Sequence, residues 1–298
     1  FGSRKDKATI SSHFRVRSER KNMGSGASRN LPTSLDAETT KGIAGDKFNQ
    51  EEFDKLKGKY SGKIPVESLH KLCKPVLHYF DISGRGELSK LIAAVGGVEL
   101  DIVEYPFKAN GASVADKAKA GAMESEHTKA AKAMGMEGCG LPILEHGSLK
   151  INQSAAIQDY LVSIGPNYPP VNPMQKAKDD MFEGALEDAM GLGAGIVLSG
   201  YDGSLIAPFM DKTLTHLTKY IPKEGFVNGF DAPTKADLVI LLLTQALIPF
   251  KATLGDYDFA KFPEAKALGE RAAAFLAVAA WLENEKCNLT KPPREARK

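Results

Sequence analysis

Residues 77–88 read LHYFDISGRGEL, and the reading of the Gly84-Arg85-Gly86 turn decides the fold. The segment KPVLHYF (74–80) is short, apolar and aromatic, the make-up of a strand. Past the glycines, Leu88, Leu91, Ile92 and Val95 recur at i, i+3, i+4 and i+7, which is one face of a helix. A strand therefore runs into a helix through a glycine turn. Such a turn can cradle a phosphate, hold a reactive thiol or simply bend the chain. The dinucleotide-binding reading is the weaker one. Glu104 stands at a suitable distance, but Ser89 replaces the third glycine of G-x-G-x-x-G, and a hairpin follows where alternating parallel strands belong.

Working outward, VELDIVEYPF (98–107) reads as a second strand, and 108–138 as a solvated helical stretch rich in Ala, Lys and Gly. LPILEH-GS-LKI (141–151) is a strand, a two-residue turn and a strand, hence a hairpin. Ile157, Tyr160, Leu161 and Ile164 give a further amphipathic helix. The order βαβ, α, ββα makes a mixed α/β layer over 74–166. GPNYPPVNP (165–173) is a Pro-rich linker, and 173–298 reads as all-helical, with helices expected near 174–198, 204–220, 234–250 and 263–285. Thr234 and Asp237 stand three apart ahead of the apolar run from Leu238, which predicts a capping box. That run is far shorter than the ~18 residues a membrane-spanning helix needs, so no transmembrane helix is expected.

Bulk composition narrows the function. The net charge of +2 demands no acidic partner, and no nucleic acid is expected. Cys73, Cys139 and Cys287 are odd in number, far apart and in no CxxC pair, which excludes a disulfide framework or zinc ribbon; no metal is expected. Residues 1–73 differ from the rest. The first 30 carry Arg4, Lys5, Lys7, Arg15, Arg17, Arg20, Lys21 and Arg29 against Asp6 and Glu19, with few periodic apolar positions. They read as a basic, coreless extension, either a processed transit remnant or a docking tail. The Arg- and Ser-rich start points to an organelle, plastid or mitochondrion, and otherwise to the cytoplasm.

LHYFDISGRGEL, LPILEHGSLKINQSAAIQDYL (141–161), GFVNGFDAPTKADL (225–238) and FPEAKALGERAAAFLAVAAWL (262–282) together resemble four landmarks of the cytosolic glutathione transferases, nearest the sigma-like class. They occur in the family's order and near its spacing, over about 74–286. The resemblance implies an α/β thioredoxin-like N-terminal domain plus an all-α C-terminal helical bundle, with glutathione as substrate or ligand. Glutathione's thiol has a pKa near 8.5, so at neutral pH little of it is the nucleophilic thiolate. In the family's pattern Tyr79 donates to that sulfur and Arg85 supports its charge. Pro142 matches a cis-proline that turns the backbone of Leu141 towards the peptide. Gln153 and Ser154 match the start of a helix whose free N–H groups receive the γ-glutamyl carboxylate. Asp188 matches an acidic residue that reaches the partner subunit's glutathione in the family's homodimer.

The chain departs from the pattern in two places. The stretch from Phe107 to Leu141 is long and holds no Trp, the only one being Trp281, and Lys129 or Lys132 stands nearest to a substitute for the usual lysine. Ser83 stands where many relatives carry a second arginine.

Two functions follow as expectations. One is an accessory or linker subunit of a large, organellar membrane assembly, bound to other protein subunits through 1–73 and the basic end KPPREARK (291–298), with a retained or vestigial glutathione site. The other is an active sigma-like transferase that conjugates or isomerises an apolar electrophile.

Overall fold

The computed structural model describes residues 34–59, 62–107, 125–199, 201–245 and 257–289. The first 33 residues of the expected extension and the basic end 291–298 lie outside the described residues, as do 108–124 of the expected helical stretch 108–138 and 246–250 of the expected 234–250 helix.

The α/β layer is built around β3 (Val76–Phe80), which leads through the glycine turn into α4 (Glu87–Gly96) and then β4 (Asp101–Tyr105). After α5 (Glu126–Ala133) come β5 (Ile143–His146), β6 (Leu149–Asn152) and α6 (Ser154–Ile164). The sheet order is β4-β3-β5-β6. β3 runs parallel to β4, with Val76 opposite Asp101 and Tyr79 opposite Glu104, and antiparallel to β5. Strand alternation sends Leu77 and Tyr79 to the helix-covered face, where Leu88, Leu91, Ile92 and Val95 of α4 meet Ile157, Leu161 and Ile164 of α6. Gly96 and Gly165 let α4 and α6 close up: a Cβ at Gly96 would lie 3.1 Å from the Gly165 Cα.

The helical part comprises α7 (Pro173–Ser199), α8 (Ile206–Leu217), α9 (Lys235–Thr244), α10 (Pro263–Ala274) and α11 (Leu276–Glu283). Every residue from Lys235 to Leu243 is buried, so α9 is the axis on which the bundle packs. The predicted capping box starts it. The Thr234 side chain takes the Asp237 N–H, and the Asp237 carboxylate takes the Thr234 N–H at 2.8 Å. The helix expected over 263–285 is broken at Phe275, whose backbone is extended. In the Gly-rich MGLGAGIVLSG (190–200), the glycine at 195 makes room for the Tyr201 ring, which a Cβ would overlap. Among the described residues no helix is long and apolar enough to cross a membrane.

The expectation of a coreless segment through residue 73 is corrected from Ser34 onward. β1 (Ser34–Leu35) pairs antiparallel with β2 (Ile64–Pro65), between which lie α1 (Ala37–Ala44) and α2 (Gln50–Lys57), and α3 (Leu69–Leu72) follows. Leu35, Phe53, Leu56, Ile64, Leu69 and Leu72 form a core of their own. These six come together through non-local pairing of very short elements, which leaves no periodic signature to read. Asp36 and Asn49 cap α1 and α2, accepting from Thr39 N–H at 2.8 Å and Glu52 N–H at 3.0 Å. This module is fastened to the β5–β6 turn. Ser148 donates its N–H to the Ile43 carbonyl at 2.7 Å and its hydroxyl to the Gly42 carbonyl at 2.8 Å. Gly147, at φ +61, sits so close to Ile43 and Ala44 that no side chain fits. Beneath it the buried His146 ring holds the Cys73 carbonyl at 2.5 Å and the Tyr160 hydroxyl at 2.7 Å. The nitrogen facing the carbonyl must carry a proton; in the neutral ring the other accepts from Tyr160.

Candidate functional site

A cleft of about 230 Å³ opens where the glycine turn, the β5 entry, the start of α6 and α7 converge. Arg85, Leu141, Pro142, Gln153 and Ser154, five of the residues expected at the site, line it together with Gly140, Asn152 and Glu187.

Each wall has a local cause. The Leu141–Pro142 peptide is cis, which presents the Leu141 backbone to the cleft just ahead of β5. Gln153 ends β6 at φ +74, a left-handed conformation that few residues other than glycine adopt. This sharp reversal starts α6 without a side-chain cap. The first-turn N–H groups therefore lack an intrahelical partner at the end where the helix dipole is positive, a seat suited to an anion. Ser154, buried at 6 % exposure, does not cap the helix with its hydroxyl, which donates instead to Glu187 Oε1 at 2.7 Å. Arg85 Nε donates to Glu187 Oε2, also at 2.7 Å.

Tyr79 does not line the cleft. It is buried beneath the turn, where its hydroxyl meets the backbone N–H groups of Arg85 and Gly86. Burial raises the phenol well above its ordinary pKa, which those N–H groups and the Arg85 charge only partly oppose. Tyr79 is thus protonated at neutral pH and able to donate. Gly86 is the close neighbour that makes this possible, since a Cβ there would lie 2.6 Å from the tyrosine ring.

Asp188 is exposed and absent from the cleft lining; the preceding residue, Glu187, is the one that faces in. Asp188 is expected at a partner subunit's ligand rather than in this cleft; for Glu187 the helical pitch of α7 was the available signal. Asp180, Glu183 and Glu187 follow at three and four residues on one face, and 188 falls off it. Lys129 and Lys132 are exposed on α5 and line no part of the cleft; Lys132 pairs with Glu137 at 3.8 Å.

Carboxylates of Asp159, Asp180 and Glu183 come within 4.8 Å of one another, a spacing that could hold a cation. The ammonium of Lys235 already lies among them, 2.8 Å from Asp159, 3.1 Å from Asp180 and in closer contact with Glu183. Burial works against that charge, but the hydrogen bonds with Asp159 and Glu183 outweigh it and hold the lysine above its ordinary pKa.

The arrangement suits a ligand with an anionic end at the start of α6 and an extended, peptide-like body beside Leu141. No protein-family model matches the chain, and no curated protein matches it. Solved structures do. A glutathione S-transferase from Ascaris lumbricoides is 26% identical, with 74% of this chain and 98% of that one covered at a TM-score of 0.53. A Nu-class transferase from Haemonchus contortus is 22% identical over 70% of this chain and 96% of its own, at 0.52. A monomeric one from the hookworm Necator americanus is 22% identical over 71% and 97%, at 0.53. With a mixed four-stranded sheet joined to a helical bundle, this chain has the glutathione transferase fold.

Proposed function

We propose that the cleft is a retained glutathione site and that the chain serves as an accessory or linker subunit of a larger, organellar assembly. The observation that carries the site is the convergence of the Leu141 backbone, the uncapped start of α6 at Gln153–Ser154 and the Arg85 cation on one cleft. These would hold, in order, the peptide backbone, the γ-glutamyl carboxylate and the charge near the sulfur. The subunit role draws on the basic composition of residues 1–30 and on the module 34–72, an addition fastened to the sheet. Sizing of the endogenous protein in a gently solubilised extract tests that role. Elution near twice 32.1 kDa removes it, whereas elution with a species of many hundreds of kilodaltons supports it.

One observation favours a second reading, that of an active sigma-like transferase acting on an apolar electrophile. Tyr79 and Arg85 meet at one turn, a protonated donor beside a cation. On this reading the sulfur would sit against the turn itself, where the Tyr79 hydroxyl behind the cleft wall would donate to the thiolate and Arg85 would stabilise its charge, the thiol proton passing to solvent. The sulfur then attacks the electrophilic carbon and the leaving group departs with its electron pair. Conjugation of glutathione to an activated aryl halide is the assay. Tyr79→Phe is expected to lower kcat by ~10²-fold or more if the phenol stabilises the thiolate. Unchanged turnover removes Tyr79 from that role. The Asp188 contact across a homodimer belongs to this reading and is tested by Asp188→Asn in the same assay.

A further inference from the structure

We propose that the module over residues 34–72 is an acid-released cap on the β5–β6 turn, and that His70 is the group whose protonation frees it. The proposal stands apart from what the cleft binds.

The module is fastened to the α/β layer at its root and at its rim. At the root, Cys73 joins α3 to the chain entering β3, and the His146 ring holds the Cys73 carbonyl. At the rim, Ser148 is bonded to Gly42 and Ile43. Val66 packs against the module's own core and against the main core as well. His70 lies on α3, beside the root. Leu69 and Leu72, three apart on that helix, face the module's core. A step of one residue turns the side chain by about 100°. The His70 ring is thereby aimed away from them, to the side where Glu99, in the connection between α4 and β4, is near enough to act on it. His70 stands at the seam between module and layer.

His70 is 2% exposed, and neither ring nitrogen has a hydrogen-bond partner. A neutral ring in that place leaves its polar atoms unmet; an imidazolium would bury a charge and a second unmet donor, which costs far more. The charged groups that face it are Lys71 on its own helix, which opposes protonation, and Glu99, which favours it but is already tied to Lys74 at 2.7 Å. Burial is the largest influence and holds the ring below its ordinary value of 6.5. Once the module leaves the seam, the ring meets water and takes its proton at that ordinary value. The fastened form is therefore fully supported above pH 6.5 and loses support as pH falls below it. The other buried histidine at the seam, His146, spends its nitrogens on the Cys73 carbonyl and the Tyr160 hydroxyl. A phenol oxygen accepts as well as donates, so a second proton on that ring leaves both contacts in place. His146 is the anchor and His70 the trigger.

The test is hydrogen exchange of the full chain at about pH 7.5 and about pH 5.5, corrected for the intrinsic rate and read by mass spectrometry. Amides of α1, α2 and the β5–β6 turn are expected to exchange up to about tenfold faster at the lower pH, because a proton is taken up one unit below 6.5 by the released form alone. Amides of α9 are expected to keep their protection. In His70→Leu, which has no proton to take, the acceleration is expected to vanish. His70→Asn, polar and uncharged, decides the matter if the leucine form fails to fold. Acceleration that persists in these variants, that spreads equally to α9, or that is absent from wild type overturns the proposal.

Discussion

Helix α7 presents two sets of carboxylates on one face. Asp180 and Glu183 are joined by Asp159 around the ammonium of Lys235, which is 2% exposed. One turn further on, Glu187 meets Arg85 and Ser154 at the mouth of the cleft. The bond lengths barely differ, and the surroundings decide everything else. At the centre of this knot Lys235 and Glu183 are buried, so removing Lys235 strands Glu183, whereas Asp159 and Asp180 at its rim reach water and keep Lys176 as a second cation. At the cleft, water or a ligand can take over each hydrogen bond, so the same chemistry becomes exchangeable. The knot holds α6, α7 and α9 to one another; the Glu187 clasp holds a site.

That contrast is most exposed to failure at Lys235. Lys235→Met leaves Glu183 buried without its cation, and denaturant unfolding is expected to show a loss of ~3–5 kcal/mol. A loss below about 1 kcal/mol would mean the knot is as exchangeable as the clasp. The second test uses pH. Burial lifts the Asp237 carboxyl to about 6, although the N–H groups of Val227 and Thr234 hydrogen-bond to it. The folded state thus keeps a proton that the unfolded carboxyl, at 3.8, has lost. Stability contributed by this group is full below the unfolded value and is lost as pH rises through the folded one. The stability of wild type relative to Asp237→Asn is expected to fall, on the order of 3 kcal/mol, between about pH 4 and about pH 7. A flat difference would show that the cap's hydrogen bonds, rather than burial, govern the group. The smallest effect is expected at the open end. Glu187→Gln should change unfolding stability by less than about 1 kcal/mol, because the pair it breaks is half in water. A larger loss would make the clasp structural after all.

Much of this architecture could be read from residues alone, wherever a period or a cap carried it. The apolar, aromatic run of β3, the i, i+3, i+4 face of α4, the Gly147-Ser148 hairpin and the Thr234–Asp237 box all have local signatures, and each element stands where its signature lies. The break at Phe275 has no such signal, since neither Gly nor Pro marks it. The module over 34–72 escaped because two-residue strands and six scattered apolar side chains have no period. In the cleft, five residues were legible through the family resemblance, whose motifs lie at a turn and a helix start, whereas no motif pointed to Glu187, the neighbour of the Asp188 expected to reach a partner subunit. A one-residue step on a helix turns a side chain by about 100°, far enough to change what it faces. Tyr79 shows the same limit in a strand: the apolar, aromatic run marked the strand, but not that its hydroxyl would be met by the N–H groups of the turn.

The fastening of the module at the β5–β6 turn also has a mechanical meaning. Traction applied at Ser34 is resisted by the β1–β2 ladder and then by the hydrogen bonds of Ser148 to Gly42 and Ile43. From Ser148 the load runs along β6, through Asn152, to Gln153 and Ser154 at the cleft. Tension at Ser34 is thereby borne by the strand that shapes the ligand seat.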